Sequence, residues 1–400
     1  MFTLPLLQLK KNEDRRIRNG HLWIYSNEVD TKLTPLKSFT PGQLVEIKNS
    51  QGQFIGKGYI NPNTLLCGRV LTFDSQEMIN ESFFEKRIKQ ALALREHYFS
   101  KPFYRLVYGE GDFLPGLVVD RYGDVLSVQL TTAGAETLKN EIISALITII
   151  KPKTIVLRND HSMRTIEGLS SYTETVYGEI AGPCTIIEND TKFLIPVSEG
   201  QKTGWFFDHG DNRRRMFSWI QGKRVLDVFA YLGAWSIQAL HHGAKEAWAI
   251  DASSYALEIA QDNARLNHVE NNFHILQGDA FQQLKTLHQN KEFFDVVLLD
   301  PPAFIKRRND KKEGLLAYQR INELAMKVLQ PEGLLITSSC SLHLATDELF
   351  QAVSRATNSR EKFTQVIAQG HQNVDHPIHP HIPETAYLKT LVCRVSCMNS

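Results

Sequence analysis

Two stretches of the chain carry side chains suited to covalent chemistry on a bound molecule. The first is ITSSCSLHL, Ile336 to Leu344, where an apolar run of strand character gives way to two serines, Cys340, a further serine and His343. A cysteine at such a place is either a core thiol that happens to end a strand or a nucleophile at the rim of a site. Cysteine is among the most buried residue types, and the core reading suits Cys184 and Cys393. It suits Cys340 poorly, because polar residues precede it at the carboxyl end of a strand. The second stretch is Asp300-Pro301-Pro302-Ala303-Phe304. Two prolines after a strand-end aspartate make a stiff, extended turn with few backbone donors. Such a turn presents a carboxylate and a carbonyl to a planar base, with Phe304 beside it. The competing reading is a rigid turn with a capping aspartate. IKRRNDKK follows, a basic loop whose Lys306 and Arg307 stand where a phosphate backbone would enter, although charge runs are commonly just solvated surface.

The elements that position these groups are legible from about Pro196 onward. RVLDVFAY, AWAID, FHILQGD, FDVVLLD and GLLITSSC read as short apolar strands. LGAWSIQALHHGA, SSYALEIAQDNARLNH, FQQLKTLHQ and KEGLLAYQRINELAMKVL read as the helices between them. This alternation predicts a buried, mostly parallel sheet in a doubly wound α/β domain. FTQVIAQG and YLKTLVCRVS form a closing antiparallel pair. Ligands of such sheets sit outside the carboxyl ends of the strands, and there the chain places Asp227, Asp251, Asp279, Asp300 and Cys340 in turn. A nicotinamide dinucleotide asks for G-x-G-x-x-G and a helix N-terminus for its pyrophosphate. Only Gly233 is present here, and Asp227 would repel a phosphate. A ligand with an ammonium, a sulfonium and ribose hydroxyls suits this lining, and S-adenosylmethionine is such a ligand. Asp251 is placed for the ribose hydroxyls, Asp279 for the adenine amino group, and Gly233 for close approach of the backbone. Any one of these aspartates is equally readable as a helix N-cap; the set at successive strand ends points to a nucleoside site.

The first part of the chain differs in kind. LVEIKN, QFIGKGYI and CGRVLTF alternate around turns at NSQGQ and NPN and predict a small all-β unit over residues 1–76. ESFFEKRIKQALALREHYF is helical by period, with an N-cap at Asn80 or Ser82, and opens a central α+β block over 77–195; the α/β domain takes 196–400. Lys and Arg number 45 against 44 Asp and Glu, so any nucleic-acid affinity must come from local patches. The five cysteines form no CxxC pair, which argues against a zinc site and a disulfide framework and fits a reducing cytoplasm. No metal is expected. No apolar run approaches the ~18 residues of a membrane span. The N-terminus is apolar first and charged after, the reverse of a secretory signal. A soluble, cytoplasmic protein is expected.

Taken together, these motifs resemble those of the RlmI-type ribosomal RNA large subunit methyltransferases, over essentially the whole chain. Gly20-His-Leu-Trp-Ile-Tyr25 is similar to the opening of that family's PUA domain, an RNA-binding β-barrel. Arg105 to Tyr122, RLVYGEGDFLPGLVVDRY, resembles its central block. Glu199 to His209, EGQKTGWFFDH, resembles the lead-in to its catalytic domain, which implies that Gly204, Phe206 and Asp208 lie near the cofactor. Trp205 departs from the usual pattern there. Asp227 to Gly233, with Phe229 and Tyr231, then Asp251, Asp279 and Asp300 to Phe304, align with the family's cofactor positions and its fourth motif. Ser339-Cys340-Ser341 matches the segment with the catalytic cysteine, and Asp375-His-Pro through Lys389 the C-terminal signature. The resemblance implies a Rossmann-like class I methyltransferase domain with a mostly parallel seven-stranded sheet, behind an N-terminal PUA-like β-barrel and a central α+β block.

It also implies an activity: methylation of cytosine C5 in 23S rRNA from S-adenosylmethionine. That carbon is too poor a nucleophile to take a methyl group unaided. A thiolate that adds to C6 turns the ring into an enamine, and C5 can then attack. Cys340 is then the nucleophile. Asp300 holds N3 and the exocyclic amine as charge develops, with Pro301, Pro302, Phe304, Lys306 and Arg307 contacting the RNA. The base that removes the C5 proton is not assigned; His343 and a water are equal candidates. The partner is 23S rRNA or a large-subunit assembly intermediate, with no membrane, and a homodimer is compatible. Trp23, Tyr25 and Lys57 are candidate RNA contacts, with a core role at least as good for the aromatics. Two rivals stand beside this reading. One is methylation of an exocyclic amine, guanine N2 or adenine N6, which needs no cysteine. The other is an RNA-binding assembly factor without turnover.

Overall fold

In the computed structural model, which describes residues 4–180, 182–198, 203–357 and 362–397, the chain divides into two compact units. The first comprises Met1–Cys184, Ile195–Phe207 and Val374–Thr385; the second comprises Thr185–Leu194, Asp208–Asn373 and Ala386–Ser400. Two short segments after the expected boundary at residue 195 thus belong to the first unit. Glu199 to Lys202 of the lead-in lie outside the described residues.

The first unit holds two sheets. One contains β1 (Leu6–Gln8), β2 (Trp23–Tyr25), β3 (Gln43–Lys48), β4 (Phe54–Ile60) and β5 (Leu66–Thr72) in the order β1-β3-β4-β5-β2. β1 runs parallel to β3, and the other pairs are antiparallel. Alternation in LVEIKN turns Val45 and Ile47 into a core with Leu7, Ile24 and Val70. Ile382, from the returning segment, completes that core. At Gly58 a Cβ would stand 2.0 Å from Arg69 O, so only glycine lets β4 and β5 approach this closely.

The second sheet contains β6 (Phe103–Tyr108), β7 (Leu117–Tyr122), β8 (Val125–Leu130), β9 (Thr154–Asn159) and β10 (Tyr172–Tyr177) in sequential order, all antiparallel except β8 with β9. It packs with helices Glu81–Tyr98 and Lys139–Ile150. Asn80 caps the first of these, its side chain accepting from Phe83 N. Arg95 on that helix is fully buried and bidentate to Asp112, at 2.5 and 2.7 Å, and donates to Arg105 O and Asp375 O. Asp375 in turn accepts from Arg105 N at 2.9 Å. The start of the C-terminal signature is therefore an anchor within the first unit.

The hairpin β11 (Cys184–Glu188) and β12 (Thr191–Ile195) precedes the sheet of the second unit. That sheet contains β13 (Arg224–Val228), β14 (Glu246–Asp251), β15 (Phe273–Gln277), β16 (Phe294–Leu299), β17 (Leu329–Ser339), β18 (Lys362–Gly370) and β19 (Lys389–Cys397). The order is β15-β14-β13-β16-β17-β19-β18, parallel except for β19. Helices cover both faces of such a sheet, so its central strands are apolar throughout; Val296 to Leu299 are all buried. Helix Lys311–Lys327 buries Gly314, Tyr318, Ile321 and Ala325 at helical spacing. Strand order reverses beside β13, whose neighbours are β14 and β16. A ligand crevice opens at such a switch point, at the carboxyl ends of the strands.

Candidate active site

The loop after β13 has an unusual backbone. Phe229 and Tyr231 take positive φ, 68° and 49°, and Gly233 follows at 78°. Two bulky left-handed residues in one short loop cost of order 1–3 kcal/mol each and mark functional segments. The loop is pinned to the end of β14: Phe229 N and Ala230 N donate to Ile250 O, and Tyr231 N donates to Asp251 Oδ2 at 2.9 Å. At Gly233 a Cβ would stand 2.7 Å from Ile237 Cδ1, so glycine serves both the positive φ and the packing of helix Ala234–His241.

Of the strand-end aspartates, Asp279 alone is a helix N-cap; Asp227 and Asp251 accept backbone N–H groups beside helices whose N-cap residues are Gly233 and Ser253. Asp227 Oδ2 accepts from Ser236 N at 3.0 Å, in the first turn of helix Ala234–His241. Asp251 Oδ1 accepts from Ser253 N at 2.9 Å. Asp279 is exposed and caps helix Ala280–Gln289 through Gln282 N at 3.0 Å. The capping reading and the ligand reading are compatible, because a carboxylate has about four acceptor positions. Asp227 is wholly buried, and its Oδ1 has no hydrogen-bond partner among the described residues. Burial pushes its carboxyl up to about 7, the Ser236 hydrogen bonds oppose this, and the charges of Asp300 and Asp251 add to it.

On the other side of β13, Asp300 follows β16 directly. Its Oδ1 lies 3.2 Å from His209 Nε2, and its Oδ2 lies 3.4 Å from Trp235 Nε1. His209 is buried. Burial would lower its pKa, but the charges of Asp300 and then Asp208 prevail and raise it. Asp208 Oδ2 accepts from Tyr387 OH at 2.5 Å. Pro301 is buried, Pro302 exposed. The Phe304 ring sits among aromatics, 4.9 Å from Tyr318 and 6.3 Å from Phe229 between centroids. Lys306 and Arg307 are exposed.

Cys340 is partly exposed just past β17. The serines around it are buried and bonded. Ser338 Oγ meets Thr390 Oγ1 at 2.9 Å, Ser339 Oγ meets Tyr318 OH at 2.7 Å, and Ser341 Oγ donates to Ile305 O at 2.7 Å. The last bond ties the cysteine loop to the loop of Asp300. Gly314 lets that loop lie against its helix, since a Cβ there would meet Ile305 Cγ1 at 2.3 Å. Cys67 and Cys393 are buried, and burial pushes their thiols up to about 12.

Residues 137–394 match the family described as S-adenosylmethionine-dependent methyltransferase, and residues 7–73 match a PUA-like domain. Ribosomal RNA large subunit methyltransferase I of Tolumonas auensis is 37% identical over 394 residues, 96% of this chain and 98% of that one. Its namesake from Aliivibrio fischeri (strain MJ11) is 36% identical, over 97% and 99% of the two chains. The chain belongs to the ribosomal RNA large subunit methyltransferase I family. Solved structures share the fold: a SAM-dependent methyltransferase from Streptococcus mutans gives a TM-score of 0.82 at 19% identity, covering 98% of this chain and 100% of that one. SMU.776 complexed with SAH gives 0.84 over the same shares at the same identity. The architecture is therefore a PUA-like domain and a class I methyltransferase domain, and the cofactor is S-adenosylmethionine.

For a methyltransferase of this family the second unit fits its cofactor. The orphaned oxygen of Asp227 suits an ammonium, and Asp251 at the neighbouring strand end keeps acceptor positions for hydroxyls. Gly204 and Phe206 belong to the first unit, and the other expected cofactor residues belong to the second. Gly204 has φ +119° and a Cβ there would meet Ile195 Cγ2 at 2.9 Å, reasons for glycine within its own unit. Of the expected RNA contacts, Trp23 donates to Glu110 Oε1 at 2.8 Å, the Arg16 guanidinium covers the Tyr25 ring, and Lys57 donates to Ser75 O and Glu77 O. His209, Trp235, Tyr318 and Lys389 were given no role from sequence. His209 was at hand beside Asp208; the others reach the site from elements that no spacing rule connects to it. Among the described residues no helix is long and apolar enough to cross a membrane, and no group of three His, Cys, Asp or Glu could hold a metal.

Proposed function

We propose that the protein methylates C5 of a cytosine in 23S ribosomal RNA, with Cys340 as nucleophile and Asp300 as the residue that holds the base. The observation that carries this reading is the Ser341 Oγ to Ile305 O bond, because it ties a partly exposed thiol to the loop that presents Asp300. S-adenosylmethionine, when bound, supplies a methyl carbon on a sulfonium. The Cys340 thiolate forms the S–C6 bond, the C5=C6 π electrons are pushed toward C5 and N3, and Asp300 holds N3 and the exocyclic amine of the base as that charge develops. C5 thereby becomes a nucleophile that would take the methyl carbon as its bond to the sulfonium breaks, the electron pair staying on sulfur as a neutral thioether. Loss of the C5 proton to a base then restores the C5=C6 bond and expels the thiolate. Asp227, Asp251, Asp279 and the loop Phe229 to Gly233 hold the cofactor, and Asp208, which accepts from Tyr387 OH, braces that site within the same unit. Pro301, Pro302 and Phe304 shape the base site, and Lys306 and Arg307 contact the RNA backbone. Stable duplex hides base edges, so the target is a looped or flipped-out cytosine.

The experiment is nucleoside mass spectrometry on protein-free 23S rRNA from cells lacking the protein, after incubation with S-adenosylmethionine. C5-methylcytosine is expected. Cys340→Ala abolishes it, and Asp300→Asn reduces kcat by roughly 100- to 1000-fold, the usual loss of a charge-stabilising group. A methyl group on an exocyclic nitrogen that survives Cys340→Ala would make the cysteine a bystander.

A further inference from the structure

We infer that Lys389 is the positioning residue that holds the Cys340 loop and keeps a positive charge beside its sulfur. The inference rests on Cys340 as the nucleophile proposed above. Lys389 opens β19, and the antiparallel register with β17 sets it opposite Ser339, one residue before the cysteine. The side chain is half-buried, and Nζ donates to Ser341 O at 2.7 Å and to Tyr387 O at 2.9 Å. The ammonium is therefore fixed to the carbonyl of the residue that follows Cys340. An ammonium has three donors, and these two carbonyls use two of them.

The charges around the sulfur support the same assignment. Burial pulls the Lys389 pKa below its usual range, while the charges of Cys340 and then Glu348 oppose this. Tyr318, on helix Lys311–Lys327, also feels the charges of Cys340 and Asp300; burial first of all pushes its phenol up to about 12, so it stays neutral, with its hydroxyl on Ser339 Oγ. Glu348, on helix Thr346–Ala356, is neutralised by Lys311 at 2.6 Å. Among these groups Lys389 supplies the cation. An opposite charge within ~4–6 Å shifts a pKa by about 1–3 units, and the thiolate is the nucleophilic form of cysteine.

Alkylation of the full chain by iodoacetamide across pH tests this, with the modification at Cys340 read by peptide mass spectrometry. The thiolate displaces iodide, so the rate follows the thiolate fraction. The wild-type midpoint is expected below the ~8.5 of a free thiol. Lys389→Gln keeps a donor for Ser341 O and removes the charge; its midpoint should rise by about one unit and its rate at neutral pH fall roughly tenfold. Lys389→Arg should restore most of the rate. A midpoint unchanged in Lys389→Gln overturns the inference and leaves Lys389 a tether. Should the glutamine variant not fold, the wild-type midpoint decides alone: a value at or above that of a free thiol overturns the inference. Nucleoside analysis run in parallel separates the two readings. A product methylated on an exocyclic nitrogen sinks the C5 reaction, whereas C5 product with an unmoved midpoint sinks only the role of Lys389.

Discussion

His209 Nε2 and Asp300 Oδ1 are 3.2 Å apart, and the imidazole of this pair is buried. Burial alone favours the neutral ring, yet the carboxylates of Asp300 and Asp208 hold its pKa above the ordinary 6.5. The folded value thus exceeds the unfolded one. The stabilisation is fully present below the unfolded value and is lost as pH rises through the raised folded value. The difference in Tm between wild type and His209→Gln should be largest on the acid side and shrink toward alkaline pH. Calorimetry over that range checks it, and a difference independent of pH would show the ring to be neutral throughout.

Asp227 gives a second pH dependence. Its ordinary value is 3.8 and its folded value about 7, so the folded chain holds a proton there that the unfolded chain has lost. Stability of the cofactor-free chain falls as pH rises through that window. Ionisation also creates the partner of an ammonium. Affinity for S-adenosylmethionine should therefore rise with pH through about 7 in the wild type. Asp227→Asn should flatten that rise, weaken binding by about tenfold or more, and leave the cofactor-free chain at least as stable at alkaline pH. Titration calorimetry with parallel unfolding curves tests all three.

The strand and helix alternation made the second unit legible, because each apolar strand such as FDVVLL needs helices on both faces. The strand-end aspartates were legible for the same reason, since sheet topology fixes where strands end. What the sequence could not convey is how those ends are finished. Phe229 and Tyr231 adopt positive φ although neither is a residue type that favours it. Ser338, Ser339 and Ser341 are polar by type, yet they are buried struts for the cysteine loop. Trp235 and His209 reach Asp300 from two separate elements, a juxtaposition that only long-range packing creates. The segment Val374–Thr385 was read with the catalytic domain as part of a terminal signature, and its contacts through Asp375 lie in the first unit.

That anchor makes a stability prediction. Arg95 is wholly buried and satisfies Asp112, Arg105 O and Asp375 O at once. Removing one member of a buried ion pair leaves the other charge uncompensated, at a cost of about 3–5 kcal/mol. Arg95→Met should destabilise the first unit by that amount in urea unfolding. A loss under about 1 kcal/mol would mean that water replaces the guanidinium.

Lys306 and Arg307 are exposed in the loop that follows the Asp300 turn. If they touch the phosphates of a single-stranded target, each contact releases about 0.7 of a counterion. The double variant Lys306→Ala/Arg307→Ala should then lower the slope of log affinity against log salt by about 1.4. Affinity should drop for all RNA sequences alike, because phosphate contacts carry no base information. The affinity for S-adenosylmethionine should stay at its wild-type value, since the strand-end carboxylates are untouched. Filter binding of a 23S rRNA fragment at several salt concentrations measures the slope. An unchanged slope would return the basic loop to ordinary solvated surface and place the RNA backbone elsewhere on the protein.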